Sequence, residues 1–287
     1  MFVIIGFVIV FGSVFGGFVM EGGPLPLLMQ PIEILIIGGA AIGSFIVATP
    51  VKIMKQAISG VLGTLKGDAY SKQTYIDLLK MLYELFQLAK KDGLIAIEVH
   101  IEKPQESSIL RKYPSFVKNH HAVDFLCDSM RMLVSGGISP FDLETLMDSD
   151  ITTHHEEVAK PVSMVTKVAD ALPGFGIVAA VLGVVLTMQA IGGPVEEIGY
   201  KVGAALVGTF LGILLSYGFV GPVATNMENI NSSGSRYYEV IKASVVSFSK
   251  GAAPLLAVEA GRRVVFNVDR PSFAELEKHL RGGGGGA

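Results

Sequence analysis

Residues 202–224 read VGAALVGTFLGILLSYGFVGPVA, and residues 170–185 read DALPGFGIVAAVLGVV. Apart from Asp170 at the entrance of the second stretch, neither holds a charge, yet both carry a proline and several glycines. A helix needs roughly 20 apolar residues to cross a hydrocarbon core, so spans are predicted over about 171–191 and about 202–223. Windows 1–20 and about 32–51 meet the same requirement. The predicted fold class is an all-α integral membrane protein with four transmembrane helices in two hairpins. A passage-like surface with no acid at its centre poses the functional question: if ions cross here, their carrier is missing.

Composition agrees. Only 17% of the 287 residues are charged, and mean hydropathy is +0.52, whereas soluble domains carry about 25% charged residues. A net charge of −3 argues against a nucleic-acid partner. The first window starts at Met1 with no preceding basic residue and no small-residue cleavage site, which reads as a retained span. Of 23 Lys and Arg residues, 14 fall in 51–167, 8 in 225–287 and one at Lys201. The positive-inside rule then puts both long polar stretches and both termini in the cytoplasm. The predicted domains are a hairpin at 1–51, a helical cytoplasmic domain at 52–167, a second hairpin at 168–224, and a helical tail at 225–287 with a flexible glycine-rich end.

Between the hairpins the pattern is helical. The segment 71–93 has Ser71 as a cap, an apolar face through Ile76, Leu79, Leu82, Phe86 and Ala89, then Lys90, Lys91 and Gly93 as a stop signal. A second helix is expected over 120–135, ending at Gly136 and Gly137. A third starts at SPFD (139–142), with Ser139 and Asp142 at capping-box spacing. The tail reads as a continuation of the fourth span followed by one more helix.

Small residues recur every four positions inside the spans: Ala204, Gly208, Gly212 and Ser216; Ala179, Gly183 and Thr187; Gly39 and Gly43; Gly12 and Gly16. Such stripes let helix backbones approach closely in lipid, and four of them exceed what one bundle consumes, which favours self-association or a partner helix. Pro173 and Pro222 lie at the cytoplasmic ends of the third and fourth spans, as hinges or as plain helix stops. Thr209 is the strongly polar side chain near the middle of the fourth span, either bonded back to its own helix or functional. Glu33, two residues past Pro31, is placed at the outer interface within reach of water, and Asp170 at the inner mouth. Lys90, Lys91, Asp92 and Glu98 read as solvated charges around a helix end. In HHEE (154–157) adjacent side chains point about 100° apart, unlike an i, i+4 ligand pair, so no metal site is assigned. Cys127 reads as an inert core thiol. With no P-loop, nucleophile elbow or CxxC pair, no catalytic residue and no cofactor is assigned.

Four motifs in order along the chain, PIEILIIGGAAIGSFIV (31–47), LPGFGIVAAVLGVV (172–185), VGTFLGILLSYGFVGPVAT (207–225) and RPSFAELE (270–277), closely resemble the MotA family. These are the larger subunits of the bacterial flagellar stator, related to TolQ and ExbB. The resemblance implies a homopentamer in the bacterial inner membrane around single-span MotB-like helices that supply the ion-binding aspartate. It implies H⁺ more than Na⁺ as coupling ion, and torque on the rotor protein FliG. It carries ion coupling onto Pro173, Thr209 and Pro222, and rotor contact onto Lys90, Glu98 and Asp150. An arginine stands at the Lys90 position in the proton-type motif. Lysine keeps the charge without the planar fork. Open alternatives are an ExbB/TolQ-like subunit acting on an envelope partner, a scaffold without ion coupling, and an autonomous channel.

Overall fold

The computed structural model describes residues 2–67, 70–189 and 191–281. The glycine-rich end lies outside the described residues. In chain order the helices are α1 (Phe2–Met20), α2 (Leu25–Leu28), α3 (Pro31–Ala48), α4 (Val51–Gly63), α5 (Lys72–Asp92), α6 (Glu98–Glu102), α7 (Pro114–Val117), α8 (His120–Ser135), α9 (Pro140–Met188), α10 (Val195–Ile213), α11 (Gly221–Ser249), α12 (Pro254–Val264) and α13 (Phe273–Arg281). A seven-residue π-helical segment, Leu214–Val220, joins α10 to α11. No strand occurs among the described residues. Among the described residues four helices are long and apolar enough to cross a membrane, over Phe2–Met20, Leu25–Ala48, Pro140–Met188 and Val195–Ser249.

Where sequence signals were local, the structure follows them. Ser71 caps α5 by accepting from the Thr74 amide, and α5 ends at Gly93, whose φ of +90° suits a residue without a Cβ. Asn119 caps α8 and Gly136 closes it. Ser139 Oγ accepts from the Asp142 amide at 3.1 Å, starting α9. Three features lay outside that reading. α4 is a separate helix, the tail adds two helices rather than one, and the fourth span contains the π segment. The prolines do not stop their helices: α9 runs unbroken through Pro161 and Pro173, and Pro222 is the second residue of α11.

The chain divides into two compact units, Met1–Gly67 with Glu157–Ile230 and Asp68–Glu156 with Asn231–Ala287. Two of the expected domain boundaries, 167/168 and 224/225, fall inside α9 and α11, because a membrane surface does not by itself interrupt a helix's hydrogen bonds. The first unit holds the apolar segments. One of its clusters packs Leu28, Ile37, Ala41, Leu172, Ala179, Val207 and Leu211 together. Another joins Ala57 of α4 to Val162, Val165, Val223, Ala224 and Met227.

The second unit has an ordinary hydrophobic core, in which Leu79, Leu82, Leu85 and Phe86 of α5 pack with Leu126 and Met130 of α8 and with Val240, Ile241 and Val258. Phe86 and Phe248 stack at 4.4 Å. The RPSFAELE motif is a helix start. Ser272 donates its amide to Glu275 Oε2 at 2.7 Å, and Glu275 donates its amide back to Ser272 Oγ at 3.2 Å, a reciprocal capping box. Lys72 pairs with the same carboxylate at 2.8 Å, tying α13 to α5. That ion pair, then the Ser272 amide, pull the Glu275 carboxyl down to about 2.

Cys127 is 2% exposed in this core. Burial pushes its thiol up to about 12, and the thiolate is the reactive form. Maleimide labelling at neutral pH is therefore expected to fail on the native chain and to go to completion once it is unfolded.

Candidate functional site

The site is built on the packing of α9 against α10, and glycine sets its geometry. A methyl placed on Gly176 would lie 2.8 Å from the Gly208 carbonyl oxygen, and one on Gly183 would lie 2.7 Å from Ala205 Cβ. One on Gly212 would meet the Leu172 carbonyl oxygen at 2.6 Å and Gly176 Cα at 2.9 Å. The two backbones are in direct contact, so the predicted stripes on the third and fourth spans meet each other. The stripes on the first two spans do not: methyls on Gly12, Gly16, Gly39 or Gly43 would meet nothing within 4 Å. Those faces are open in a single chain.

Glu33 lies in the first turn of α3, at the expected end of the span, but not within reach of water. It is 9% exposed and shares one face of α3 with Ile37 and Ala41, at four-residue spacing and both buried. Its Oε2 lies against Gly208, where a methyl would come within 2.9 Å. Proximity to the helix start suggested water; the helix face decided otherwise.

Thr209, half-buried, follows Gly208 on α10. Ser13, Ser44, Thr166 and Thr187 each donate to a carbonyl three or four residues back in their own helix. Among the described residues the Thr209 hydroxyl has no such bond, which removes the simplest structural use for it and leaves it free for another group.

At the other end of the hairpin, Pro173 is half-buried within α9 and Pro222 is exposed at the head of α11. A proline inside a helix has no amide to donate, and its ring crowds the carbonyl four residues back. The π segment is the local answer at Pro222: the Gly221 amide reaches Ser216 O, five residues back, widening the helix one residue before the ring. Such π turns gather at functional sites. A polar cleft of about 590 Å³ opens here, lined by Asp170 and Thr166 of α9, Ser216 and Tyr217 of the π segment, and Pro222 and Glu228 of α11. Asp170 is exposed to it.

In the second unit, Lys90, Glu98 and Asp150 are exposed, and among the described residues none makes an ion pair. Lys90 lines an open groove with Glu84, Lys91 and Asp92. Glu98 begins α6, flanked by exposed Ile95 and Val99 at 75% and 71%. The HHEE imidazoles serve packing: His154 stacks on His121 at 4.0 Å beneath Tyr238, and His155 lies 3.1 Å from Ser235 Oγ.

Residues 118–239 match the MotA/TolQ/ExbB proton channel family, and residues 4–93 match Motility protein A N-terminal. The fold and the close-packed third and fourth spans define a membrane protein of that channel class. Within it, the chain belongs to the motility protein A family. It is 41% identical to Motility protein A of Salmonella typhimurium over 281 residues, 98% of this chain and 95% of that one, and equally to that of Escherichia coli. It is 37% identical to the chemotaxis protein LafT of Vibrio parahaemolyticus, covering 96% and 97%. The fold is that of the C. jejuni MotAB structure, with a TM-score of 0.78 at 22% identity over 94% of this chain and 98% of that one. It is likewise that of the Bacillus subtilis MotAB stator complex, at 0.72 and 24% over 89% and 92%.

Proposed function

We propose that the chain is the ion-conducting stator subunit of a bacterial flagellar motor. It sits in the inner membrane as a homo-oligomer, a pentamer, around MotB-like helices that bring an ion-binding aspartate. The observation that carries this reading is the pair of prolines retained inside unbroken helices, at Pro173 and beside a π segment at Pro222, on either side of close-packed glycine backbones. Packing alone has no use for them, since each prolines's missing hydrogen bond weakens the helix. A hairpin that must flex as ions pass does. Thr209, with its hydroxyl unengaged, is assigned to face the partner's aspartate, and the open faces at Gly12, Gly16, Gly39 and Gly43 to neighbouring subunits. A match that includes the first hairpin favours the flagellar branch over three-span ExbB/TolQ-like subunits.

The native mass of detergent-extracted protein, expressed alone and with a MotB-like partner, tests this. Several copies of this chain around fewer of the partner are expected; a stable assembly that excludes the partner overturns the reading.

Lys90, Glu98 and Asp150 are assigned to the rotor protein FliG, with Ile95 and Val99 as the apolar part of the contact. Reversing Lys90 or Glu98 brings like charges together at the interface, which costs several kcal/mol. Swimming is expected to fall sharply in either reversal and to recover in part when the facing rotor charge is reversed too. Normal swimming in both single reversals rules the assignment out. The coupling ion is assigned as H⁺, so swimming speed is expected to follow proton-motive force and not external sodium. Speed that tracks sodium at fixed proton-motive force makes the ion Na⁺.

A further inference from the structure

The membrane unit has an acid of its own, and no role has been given to it. We propose that Glu33 is a protonatable site within the bundle, a carboxyl that holds a proton between α3 and α10 and exchanges it with water when that contact loosens. This deepens the stator reading and rests on it.

The side chain is more than nine-tenths buried, and its Oε2 has no hydrogen-bond partner among the described residues. It is aimed at helix backbone. Gly208 supplies the space, because any side chain there would displace the carboxyl, and Ala179 and Ala180 of α9 close the other side of the same glycine. No Asp, Glu, Lys, Arg, His, Cys or Tyr occurs in 171–188 or 202–216, the stretches of α9, α10 and the π segment that pack around it. Within α1, α2 and α3 Glu33 is itself the sole residue of those types. The nearest charge on α10, Lys201, stands seven residues before Gly208 and pairs with Glu197 at 2.9 Å, and among the described residues no cation makes an ion pair with Glu33.

An unpaired carboxylate in such a place is expensive, and acids retained inside membrane bundles are typically functional. The ligand follows from the donor set. A metal cation needs several oxygens at once, and among the described residues no group of three His, Cys, Asp or Glu side chains gathers anywhere. One carboxyl oxygen with no companions suits a proton. The exchange is simple in its balance: the O–H bond of the neutral acid breaks, the proton passes to water, and the carboxylate left behind takes another from water on its next exposure. No redox partner is needed. The position also has a mechanical consequence. Glu33 lies against the residue preceding Thr209, so movement of α10 against α9 about the glycine contacts changes its access to water. A residue that merely filled space here would be aliphatic, as its face-mates Ile37 and Ala41 are.

The test uses the full-length chain purified with its MotB-like partner, in two measurements. Infrared difference spectra read the C=O stretch of protonated carboxylic acids, and proteoliposomes under a pH gradient read proton flux. Glu33→Gln keeps the shape and removes the acid. It is expected to delete one protonated-carboxyl band and to lower flux at least about tenfold, within the range for a group that transfers protons, while native mass stays unchanged. Glu33→Asp, one methylene shorter, keeps the band, shifted, and part of the flux. An unchanged band or unchanged flux in Glu33→Gln overturns the proposal. If the wild-type complex itself conducts nothing, the stator reading fails instead, and the presence or absence of the Glu33 band alone decides whether the site holds a proton.

Discussion

Gly212→Ala is expected to cost more than any other single methyl added to the membrane unit. The new Cβ would stand 2.6 Å from the Leu172 carbonyl oxygen and 2.9 Å from Gly176 Cα. Overpacking against side chains typically costs about 1–3 kcal/mol, because rotamers and neighbours can shift. Here the obstacles are main-chain atoms of a second helix, so the cost is expected at the top of that range, about 3 kcal/mol. Hinging the helices apart would also open the Gly176–Gly208 and Gly183–Ala205 contacts that follow the same line. Folded yield in detergent is expected to drop and thermal unfolding to come earlier. Gly174→Ala is the control. It lies on the facing helix α9, two residues before Gly176, with nothing within 4 Å of its added methyl, and replacing a helical glycine with alanine gains roughly 0.5–1 kcal/mol. Equal behaviour of the two variants would mean that α9 and α10 do not meet through these glycines.

Those glycines were legible as stripes before any coordinates. What spacing could not assign was the partner of each stripe. Gly208 and Gly212 consume the stripe on the third span, while those of the first and second spans stay open, because a four-residue repeat states that a face is smooth and not what lies on it. Caps were legible for a related reason. Ser71, Ser139, Gly93 and Gly136 act within a few residues of chain, and local chemistry decides them. The family's motifs carried the fold. The sequence pattern did not separate their functions, though: RPSFAELE turns out to be a helix cap with an ion pair to Lys72, a structural element as much as a signature.

The expected access of Glu33 to water fails for a physical reason. Closeness to Pro31 and the start of the span sets its depth, but burial of a helical side chain depends on azimuth as well. The signal was present: Glu33, Ile37 and Ala41 follow one another at four-residue spacing, so the acid rides on the same face as two small or apolar side chains. The π segment had a weaker trace. Gly218, Gly221 and Pro222 together announce a helix that cannot keep its ordinary hydrogen bonds, without saying whether it breaks or widens. The short helix α4 left no run long enough to stand apart from the span before it.

Pro173→Ala and Pro222→Ala are expected to abolish swimming while leaving the assembly intact. A proline inside a helix costs about 3 kcal/mol through the missing hydrogen bond and the crowded carbonyl. Alanine at either position restores the donor, to Ala169 O at the first and to Gly218 O at the second, so the isolated hairpin is expected to become more stable. Function is expected to move the other way. Once the hydrogen bond missing at 173 is restored, and the π turn before 222 has relaxed to an ordinary α turn, the polar cleft at Asp170 loses the irregular π backbone that frames one side of it. The hairpin then has no preferred place to bend. Three measurements on one pair of variants separate this from a packing role: unchanged native mass with the MotB-like partner, slower amide exchange across 214–222, and loss of torque. Reduced mass together with lost swimming would make the prolines packing elements. Swimming at the wild-type level with slowed exchange would mean that ions drive this hairpin without bending it there, and the hinge reading of both residues would fall.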